Sequence, residues 1–215
     1  MKYKAVVFDL DGTLVNSLID IADSINKVLQ EQNLPVHNYE VINNFIGSGI
    51  RNLVTKALPE THKDETIIES TFQTMMTNYC DNCTNKTIAY DGIIALLDEL
   101  QSRNIKLAVL SNKADELTKK VSNTLFPNYF EIANGLKDEA TKKPNPLGAI
   151  AIANDLGFSP EEILYVGDSG IDMQTAKNAN MYAVGVLWGY RPKEELVAEG
   201  AQSIISHPLD LLKLL

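Results

Sequence analysis

The sequence predicts an α/β protein with a doubly wound parallel sheet and an inserted helical domain. Buried strands alternate with amphipathic helices through most of the 215 residues, and this alternation is typical of parallel β-α-β units. The exception is the stretch 16–83, where only helical patterns occur. We therefore expect a Rossmann-like core formed by residues 1–15 and 84–215, and a small α-helical domain formed by residues 16–83.

The core strands are uninterrupted apolar runs. The first, Ala5-Val6-Val7-Phe8, is apolar at every position, as expected of a strand covered on both faces of a sheet. Further strands are predicted at 105–110, 130–133, 163–166, 182–187 and 203–205, and helices at 93–100, 114–125, 145–156, 171–179, 192–199 and 209–215. Right-handed crossovers through such helices give a doubly wound sheet.

The inserted domain is predicted to contain helices at 17–30, 39–45, 50–58 and 64–79. In the first of them the apolar residues recur at helical spacing. Ser17 and Asp20 have the arrangement of a capping box, so we expect them to begin this helix.

The composition is that of a globular protein, with 45% hydrophobic and 22% charged residues. The net charge of −9 argues against a nucleic-acid-binding surface. No run approaches the roughly 18 apolar residues of a membrane span, and the N-terminal stretch lacks the pattern of a signal peptide. We expect a cytoplasmic protein, a monomer or homodimer, without nucleic-acid or membrane partners.

Cys80 and Cys83 form a C-x-x-C pair within a polar, helical stretch. A zinc site requires further ligands at suitable spacing, but the sequence has no second cysteine pair and its three histidines are scattered. We predict two reduced cysteines here, not a redox or zinc half-site.

Polar side chains follow three of the predicted strands where the chain leaves the sheet: Asp9 and Asp11, Ser111 and Asn112, and Asp168 and Asp172. Lys143 lies in the loop before the helix at 145–156. The carboxyl ends of such strands form the crevice where α/β sheets bind ligands. Considered separately, Ser111 fits a helix cap, Lys143 a solvated lysine and Asp172 a first-turn helix acid.

Together these residues resemble the four motifs of the haloacid dehalogenase superfamily. They are D-x-D-G-T at 9–13, a serine after a strand at 111, Lys-Pro at 143–144 and G-D-S-x-x-D at 167–172. The motifs occur in the order of the superfamily and span the whole core. The resemblance implies phosphoryl transfer through a covalent intermediate.

The resemblance also implies a role for each acid. Asp9 would be the nucleophile that attacks phosphorus, and Asp11 the general acid and base. Mg²⁺ would be bound by the carboxylates of Asp9 and Asp168 and the main-chain carbonyl of Asp11, a set of hard oxygen ligands. Asp172 would lie near the metal, either as a ligand or as an acid behind the ligands. The phosphoryl group would be bound by Ser111, Asn112 and Lys143.

The helical insertion resembles the small cap of the phosphoglycolate phosphatase and β-phosphoglucomutase branch. In its loop 46–51, Gly47 and Arg51 would contact the substrate, Arg51 through a carboxylate or second phosphate. A flexible helix start explains the glycines of this loop equally well. Asn16 stands where the branch has an aspartate, but all the implied catalytic groups are present.

The resemblance implies a Mg²⁺-dependent phosphatase acting on a small phosphorylated metabolite, most similar to the phosphoglycolate phosphatases. Gly167-Asp168-Ser169 and the segment 185–201 favour a phosphatase over a mutase. The open alternatives are a phosphatase for pyrophosphate, sugar phosphates or nucleoside monophosphates, and a β-phosphoglucomutase-like mutase. A catalytically silent module would lack a motif acid, and none is missing.

Overall fold

The computed structural model describes residues 2–215, and the chain forms two compact units. One consists of Met1–Asn16 and Ala89–Leu215, the other of Ser17–Ile88. The second unit thus begins one residue later than predicted and ends at residue 88, not 83. None of the described helices has the length and apolar character needed to cross a membrane.

The first unit contains the main sheet, so the predicted α/β class is confirmed. The strands in chain order are β1 (Ala5–Phe8), β2 (Val15–Asn16), β3 (Ile88–Ala89), β4 (Lys106–Ala114), β5 (Ile132–Leu136), β6 (Ile163–Gly167), β7 (Tyr182–Val186) and β8 (Ser203–Ile205). Six of them form a sheet of order β5-β4-β1-β6-β7-β8, in which neighbours pair in parallel. The short strands β2 and β3 form a separate sheet.

The helices follow the predicted order. They are α1 (Leu18–Glu31), α2 (Tyr39–Asn43), α3 (Ile50–Ala57), α4 (Glu65–Asn82), α5 (Ile93–Ser102), α6 (Asp115–Leu125), α7 (Leu147–Leu156), α8 (Gly170–Asn178) and α9 (Lys193–Ala198). The last predicted helix, 209–215, is instead a 3₁₀ helix at Pro208–Lys213. Gly157 ends α7 in the left-handed conformation, as its lack of a side chain permits.

The core of the first unit lies on both faces of the sheet because successive strand side chains point to opposite faces. On one face, Ala5 and Val7 of β1 pack in a buried cluster with residues of α7 and α8, among them Ile152 and Met173. On β1 all four residues are buried, which explains its continuous apolar sequence. This placement makes β1 the rigid centre of the sheet.

The second unit is helical, and its first helix differs from the prediction. Ser17 makes no side-chain capping bond, so the predicted capping box is wrong. The buried Asp20 carboxylate instead accepts bonds from Lys86 N at 2.9 and 3.0 Å, Thr87 N at 2.8 Å and Thr87 Oγ1 at 2.7 Å. This attachment fixes residues 86–87 to α1 and explains why the unit ends later than predicted.

Strand β4 contains a bulge near its carboxyl end, where its polar residues lie. Leu110 pairs with Asn134 of β5 and Ala114 pairs with Leu136, so four steps along β4 lie opposite two along β5. A bulge redirects side chains and is common beside active sites. The residues within it are Ser111, Asn112 and Lys113, and all three are buried.

Candidate active site

The carboxyl ends of β4, β1 and β6 lie side by side, at the point where the sheet order changes direction. The chain proceeds from β4 to β5 on one side of β1, and from β6 through β7 to β8 on the other. Such a switch point is where doubly wound sheets form their ligand crevice. Asp9 lies there, directly after β1, with its main-chain N–H donating to Val166 O of β6 at 2.9 Å.

Lys143 joins two of the acids in this crevice. Its Nζ lies 2.7 Å from Asp9 Oδ1 and 2.7 Å from Asp172 Oδ1, and it also donates to Leu110 O at 3.2 Å. These three acceptors use all three hydrogens of the ammonium. Since the lysine is only 4% exposed, it is not the solvated lysine that its sequence context alone permits.

The charges in the crevice shift one another's protonation. Burial raises the pKa of Asp9 to about 7, opposed by the charge of Lys143 and reinforced by that of Asp172. Burial also raises the pKa of Asp168 well above its usual range, and the charges of Asp172 and Asp9 add to this effect. Burial lowers the pKa of Lys143, but the carboxylates of Asp172 and Asp9 outweigh it and raise that pKa. Lys143 is therefore a permanent cation.

Asp168 is held between two glycines. A Cβ on Gly12 would lie 2.3 Å from Asp168 Oδ2, and a Cβ on Gly189 would lie 2.2 Å from Asp168 Cβ. The carboxylate accepts bonds from Tyr190 N at 2.7 Å and Thr13 Oγ1 at 3.4 Å. Only residues without a side chain leave room for this carboxylate, so both glycines determine its position.

Asp172 connects helix α8 to Lys143. Its Oδ2 accepts bonds from Ser169 N at 3.1 Å and Ser169 Oγ at 2.6 Å, which forms the capping box of α8. Its Oδ1 is the acceptor for Lys143. A Cβ on Gly167 would lie 2.3 Å from Asp172 Cβ. Both carboxylate oxygens thus accept hydrogen bonds from other groups of the protein, as expected of a residue that positions its neighbours.

The acids fit a divalent metal ion. Asp9, Asp168 and Asp172 each place a carboxylate oxygen within 4.8 Å of the others, and all three side chains are buried. Buried like charges at this separation repel one another unless a cation or protons neutralise them. A set of hard, anionic oxygen atoms is the type that Mg²⁺ prefers. All three are candidate carboxylate ligands, and the Asp172 oxygens also bind Ser169 and Lys143.

Asp11 faces a second buried lysine. Lys113 Nζ lies 2.9 Å from Asp11 Oδ1 and 3.1 Å from Asp11 Oδ2, so the ammonium bridges both oxygens. The side chain of Asp11 is 13% exposed and that of Lys113 is 2% exposed. The two acids of the first motif therefore have different cationic partners, Lys143 for Asp9 and Lys113 for Asp11.

Ser111 and Asn112 lie in the bulge of β4, beside Lys143. Asn112 Oδ1 accepts from Lys143 N at 2.8 Å, and Asn112 Nδ2 donates to Lys143 O at 3.2 Å. Its amide thus holds the lysine backbone by both polar groups. Ser111 Oγ accepts from Lys113 N at 3.2 Å, and this acceptor role leaves its O–H available as a donor.

The predicted substrate residues Gly47 and Arg51 belong to the helical unit. Gly47 has a φ of 113°, the left-handed region that favours glycine. Arg51, in α3, pairs with Glu65 and, at 3.4 Å, with Glu69 of α4. Its guanidinium therefore has acidic partners within its own unit, and its contact with substrate stays a prediction.

Two parts of the crevice were not predicted from the sequence. Lys113 directly follows two predicted residues, and its position beside a serine and an asparagine at a strand end was the available signal. The loop after β7 is the other part, because Trp188 Nε1 donates to Thr13 O at 2.9 Å and Tyr190 N donates to Asp168. Trp188 thus helps to position the first motif.

Comparison with known proteins agrees with this architecture. Residues 6–186 match the family described as haloacid dehalogenase-like hydrolase. The chain is 34% identical over 213 residues to phosphoglycolate phosphatase of Aquifex aeolicus, covering 99% of this chain and 96% of that protein. It is 30% identical over 214 residues to phosphoglycolate phosphatase of Chromobacterium violaceum, covering 98% and 96% of the two chains.

A solved structure is similar over the whole length. The crystal structure of a predicted phosphoglycolate phosphatase from Haemophilus somnus 129PT superposes with a TM-score of 0.92 at 28% identity, covering 100% of this chain and 98% of that one. The predictions of an enzyme and of this superfamily are confirmed. The chain belongs to the haloacid dehalogenase-like hydrolase family, in its phosphoglycolate phosphatase-like branch.

Proposed function

We propose that this protein is a Mg²⁺-dependent phosphatase that hydrolyses a small phosphomonoester through an aspartyl-phosphate on Asp9. The observation that carries the proposal is the placement of Asp9. It lies 2.7 Å from the ammonium of Lys143 and within one cluster of buried acids with Asp168 and Asp172. A carboxylate nucleophile, a fixed cation and a metal-binding set of oxygen atoms are the groups that phosphoryl transfer requires.

In the first step an oxygen of Asp9 attacks phosphorus. The phosphorus–oxygen bond of the ester breaks, and the departing alkoxide takes a proton from Asp11. Lys143 and the Ser111 hydroxyl stabilise the negative charge on the equatorial phosphoryl oxygens. The products of this step are the free alcohol and the phosphorylated Asp9.

In the second step water attacks the phosphorus of the aspartyl-phosphate. Asp11, now a carboxylate, accepts the proton of that water, and the bond between phosphorus and Asp9 breaks. Inorganic phosphate leaves, Asp9 is again a carboxylate and Asp11 is again protonated. One residue thus serves as acid and then as base, so both of its protonation states are used in each turnover.

Mg²⁺, when bound by Asp9, Asp168 and the main-chain carbonyl of Asp11, supplies positive charge that offsets the negative charge of the transferring group. The residues behind these ligands set their orientation. Thr13 and Tyr190 N hold Asp168. Asp172 holds Lys143 and thereby the near oxygen of Asp9. Removal of any of these supports should weaken metal binding as well as turnover.

The substrate we propose is 2-phosphoglycolate, because both curated relatives compared above are named phosphoglycolate phosphatase. Its free carboxylate would be bound by Arg51 at the start of α3, with Gly47 of the preceding loop as the second predicted contact. The pairing of Arg51 with Glu65 and Glu69 means that the substrate must compete with two glutamates. Arg51→Met should therefore raise KM for 2-phosphoglycolate more than KM for ethyl phosphate, which lacks the carboxylate.

The test is phosphate release from a panel that contains 2-phosphoglycolate, sugar phosphates, nucleoside monophosphates and pyrophosphate, in Mg²⁺ and in EDTA. The proposal predicts release that requires Mg²⁺ and is lost in Asp9→Asn. Release in EDTA, or full activity in Asp9→Asn, would contradict the mechanism. A preference for another ester would change the substrate alone, and transfer within a sugar phosphate would indicate a mutase.

A further inference from the structure

We propose that Lys113 is a positioning residue for Asp11: it fixes the carboxylate of the proton-transferring group by binding both of its oxygens. This inference rests on the proposed function, in which Asp11 is the general acid and base. Lys113 Nζ lies 2.9 Å from Asp11 Oδ1 and 3.1 Å from Asp11 Oδ2. A bridge to both oxygens restricts rotation of the carboxylate more than one bond does.

The main chain of Lys113 is itself fixed on several sides. Its N–H donates to Ser111 Oγ at 3.2 Å, and its carbonyl accepts from Thr118 Oγ1 at 3.1 Å. A Cβ on Gly135 of β5 would lie 2.5 Å from that carbonyl oxygen. The bulge of β4 places this residue next to Ser111 in the crevice. These contacts hold the main chain from which the Lys113 side chain extends toward Asp11.

The contact is selective because the two buried lysines bind different acids. Lys143 binds Asp9 and Asp172, whereas Lys113 binds Asp11. General acid catalysis is sensitive to orientation, because the proton must be aimed at the leaving oxygen. The contact of Lys113 with both oxygens thus restricts where the Asp11 proton points.

The test compares kcat/KM for two esters that differ in their need for a proton. The value of kcat/KM reports the steps up to release of the alcohol. In these steps a poor leaving group such as ethanol requires a proton from the acid, whereas the good leaving group 4-nitrophenol does not. In Lys113→Met, kcat/KM for ethyl phosphate should fall about 10-fold to 100-fold. That for 4-nitrophenyl phosphate should fall less than about 3-fold, because its leaving group needs little protonation. Equal losses for both esters would overturn the inference.

A double variant tests the route through Asp11 and removes the risk that an unpaired buried charge impairs folding. Once Asp11→Asn has removed the acid, adding Lys113→Met should cause no further loss of kcat/KM for ethyl phosphate. A further loss similar to that in the wild-type background would show that Lys113 acts independently of Asp11. Lys119→Met, on the exposed face of α6 where its partner is Asp115, is the matched control and should retain wild-type values.

Two other outcomes separate this inference from related ideas. A loss for 2-phosphoglycolate with none for ethyl phosphate would make Lys113 a ligand of the substrate carboxylate and would overturn the positioning role. Wild-type protein that releases alcohol from neither ester would contradict the proposed function, and the inference with it. Wild-type activity together with an unaffected Lys113→Met variant would overturn the inference alone.

Discussion

The ammonium of Lys143 lies 2.7 Å from Oδ1 of Asp9, although the two residues are 134 positions apart in the sequence. Both side chains are buried, so water cannot compensate either charge. Asp172 holds the same ammonium at 2.7 Å, which leaves the lysine little freedom to move. The nucleophile and its cation are therefore fixed relative to each other before any substrate binds.

Lys143→Met should lower kcat by about 100-fold to 1,000-fold, since it removes a preorganised positive charge beside the transferring group. It should also lower the free energy of unfolding, because a buried pair that loses one partner leaves uncompensated charge. Phosphate release and urea denaturation measure the two effects. Lys142→Met, which changes the neighbouring lysine paired with Glu139, is the control. Similar behaviour of the two variants would contradict the account.

Gly12→Ala should reduce Mg²⁺ affinity and turnover, because the new methyl group would lie 2.3 Å from Asp168 Oδ2. Gly157→Ala is the matched control. Both glycines have positive φ values, 92° and 76°, so both substitutions strain the backbone by about 1 kcal/mol or more. Only Gly12 has Asp168 within reach, and the surroundings of Gly157 within 4 Å are open. Mg²⁺ titration by calorimetry should therefore be normal in Gly157→Ala and impaired in Gly12→Ala.

The raised pKa of Asp9 predicts how stability depends on pH. Without Mg²⁺, the folded protein keeps this carboxyl protonated up to its pKa of about 7, whereas its ordinary value is 3.8. Between pH 3.8 and about 7 the unfolded chain has already released that proton, so this group makes the folded state less stable as pH rises through this range. Mg²⁺ requires the carboxylate and displaces the proton. Stabilisation by Mg²⁺ should therefore increase with pH in the same interval.

This pH effect is measured as the increase in Tm that excess Mg²⁺ produces over EDTA, at steps from acidic to neutral pH. In the wild type the increase should grow toward neutral pH. In Asp9→Asn it should be smaller and should change less with pH, because one of the two titrating carboxylate ligands is gone and Asp168 remains. A wild-type increase that does not change with pH would mean that Asp9 is ionised throughout, contrary to its environment.

Asp20 should be important for the stability of the helical unit, not for its chemistry. Its buried carboxylate accepts bonds from Lys86 N, Thr87 N and Thr87 Oγ1. Asp20→Ala leaves the buried donors of Thr87 unsatisfied, and we expect a loss of about 2–4 kcal/mol in the free energy of unfolding. Asp23→Ala, whose carboxylate pairs with Lys86 at the surface, should cost less than about 1 kcal/mol. Equal losses in chemical denaturation would contradict this difference.

The sequence was sufficient for the fold because the strands of the core carry strong local signals. Ala5–Phe8 is apolar throughout, and the structure places it at the centre of the sheet with all four residues buried. The helix stop at Gly157 follows from its left-handed conformation. Asp9, Lys143 and Asp172 were predicted as one site because their motifs resemble those of the superfamily, and the structure places both carboxylates 2.7 Å from the lysine ammonium.

What the sequence did not predict depends on contacts between distant residues. Strand β4 continues to Ala114 through a bulge, whereas its polar residues Ser111 to Lys113 ended the apolar pattern at Leu110. Lys113 was therefore not predicted as part of the site. Asp20 had the local spacing of a cap, but its partners are 66 and 67 residues away. Local patterns carry no information on such partners, because burial and tertiary hydrogen bonds select them.

The central claim is that Asp9 becomes phosphorylated, and one measurement tests it directly. Asp11→Asn should form the aspartyl-phosphate from 4-nitrophenyl phosphate and hydrolyse it slowly, because the base for the second step is missing. Rapid acid quench, peptic digestion and mass spectrometry should then find one phosphoryl group on the peptide that contains Asp9. A burst of 4-nitrophenol without a phosphoryl group on that peptide, or with one on another residue, would contradict the account.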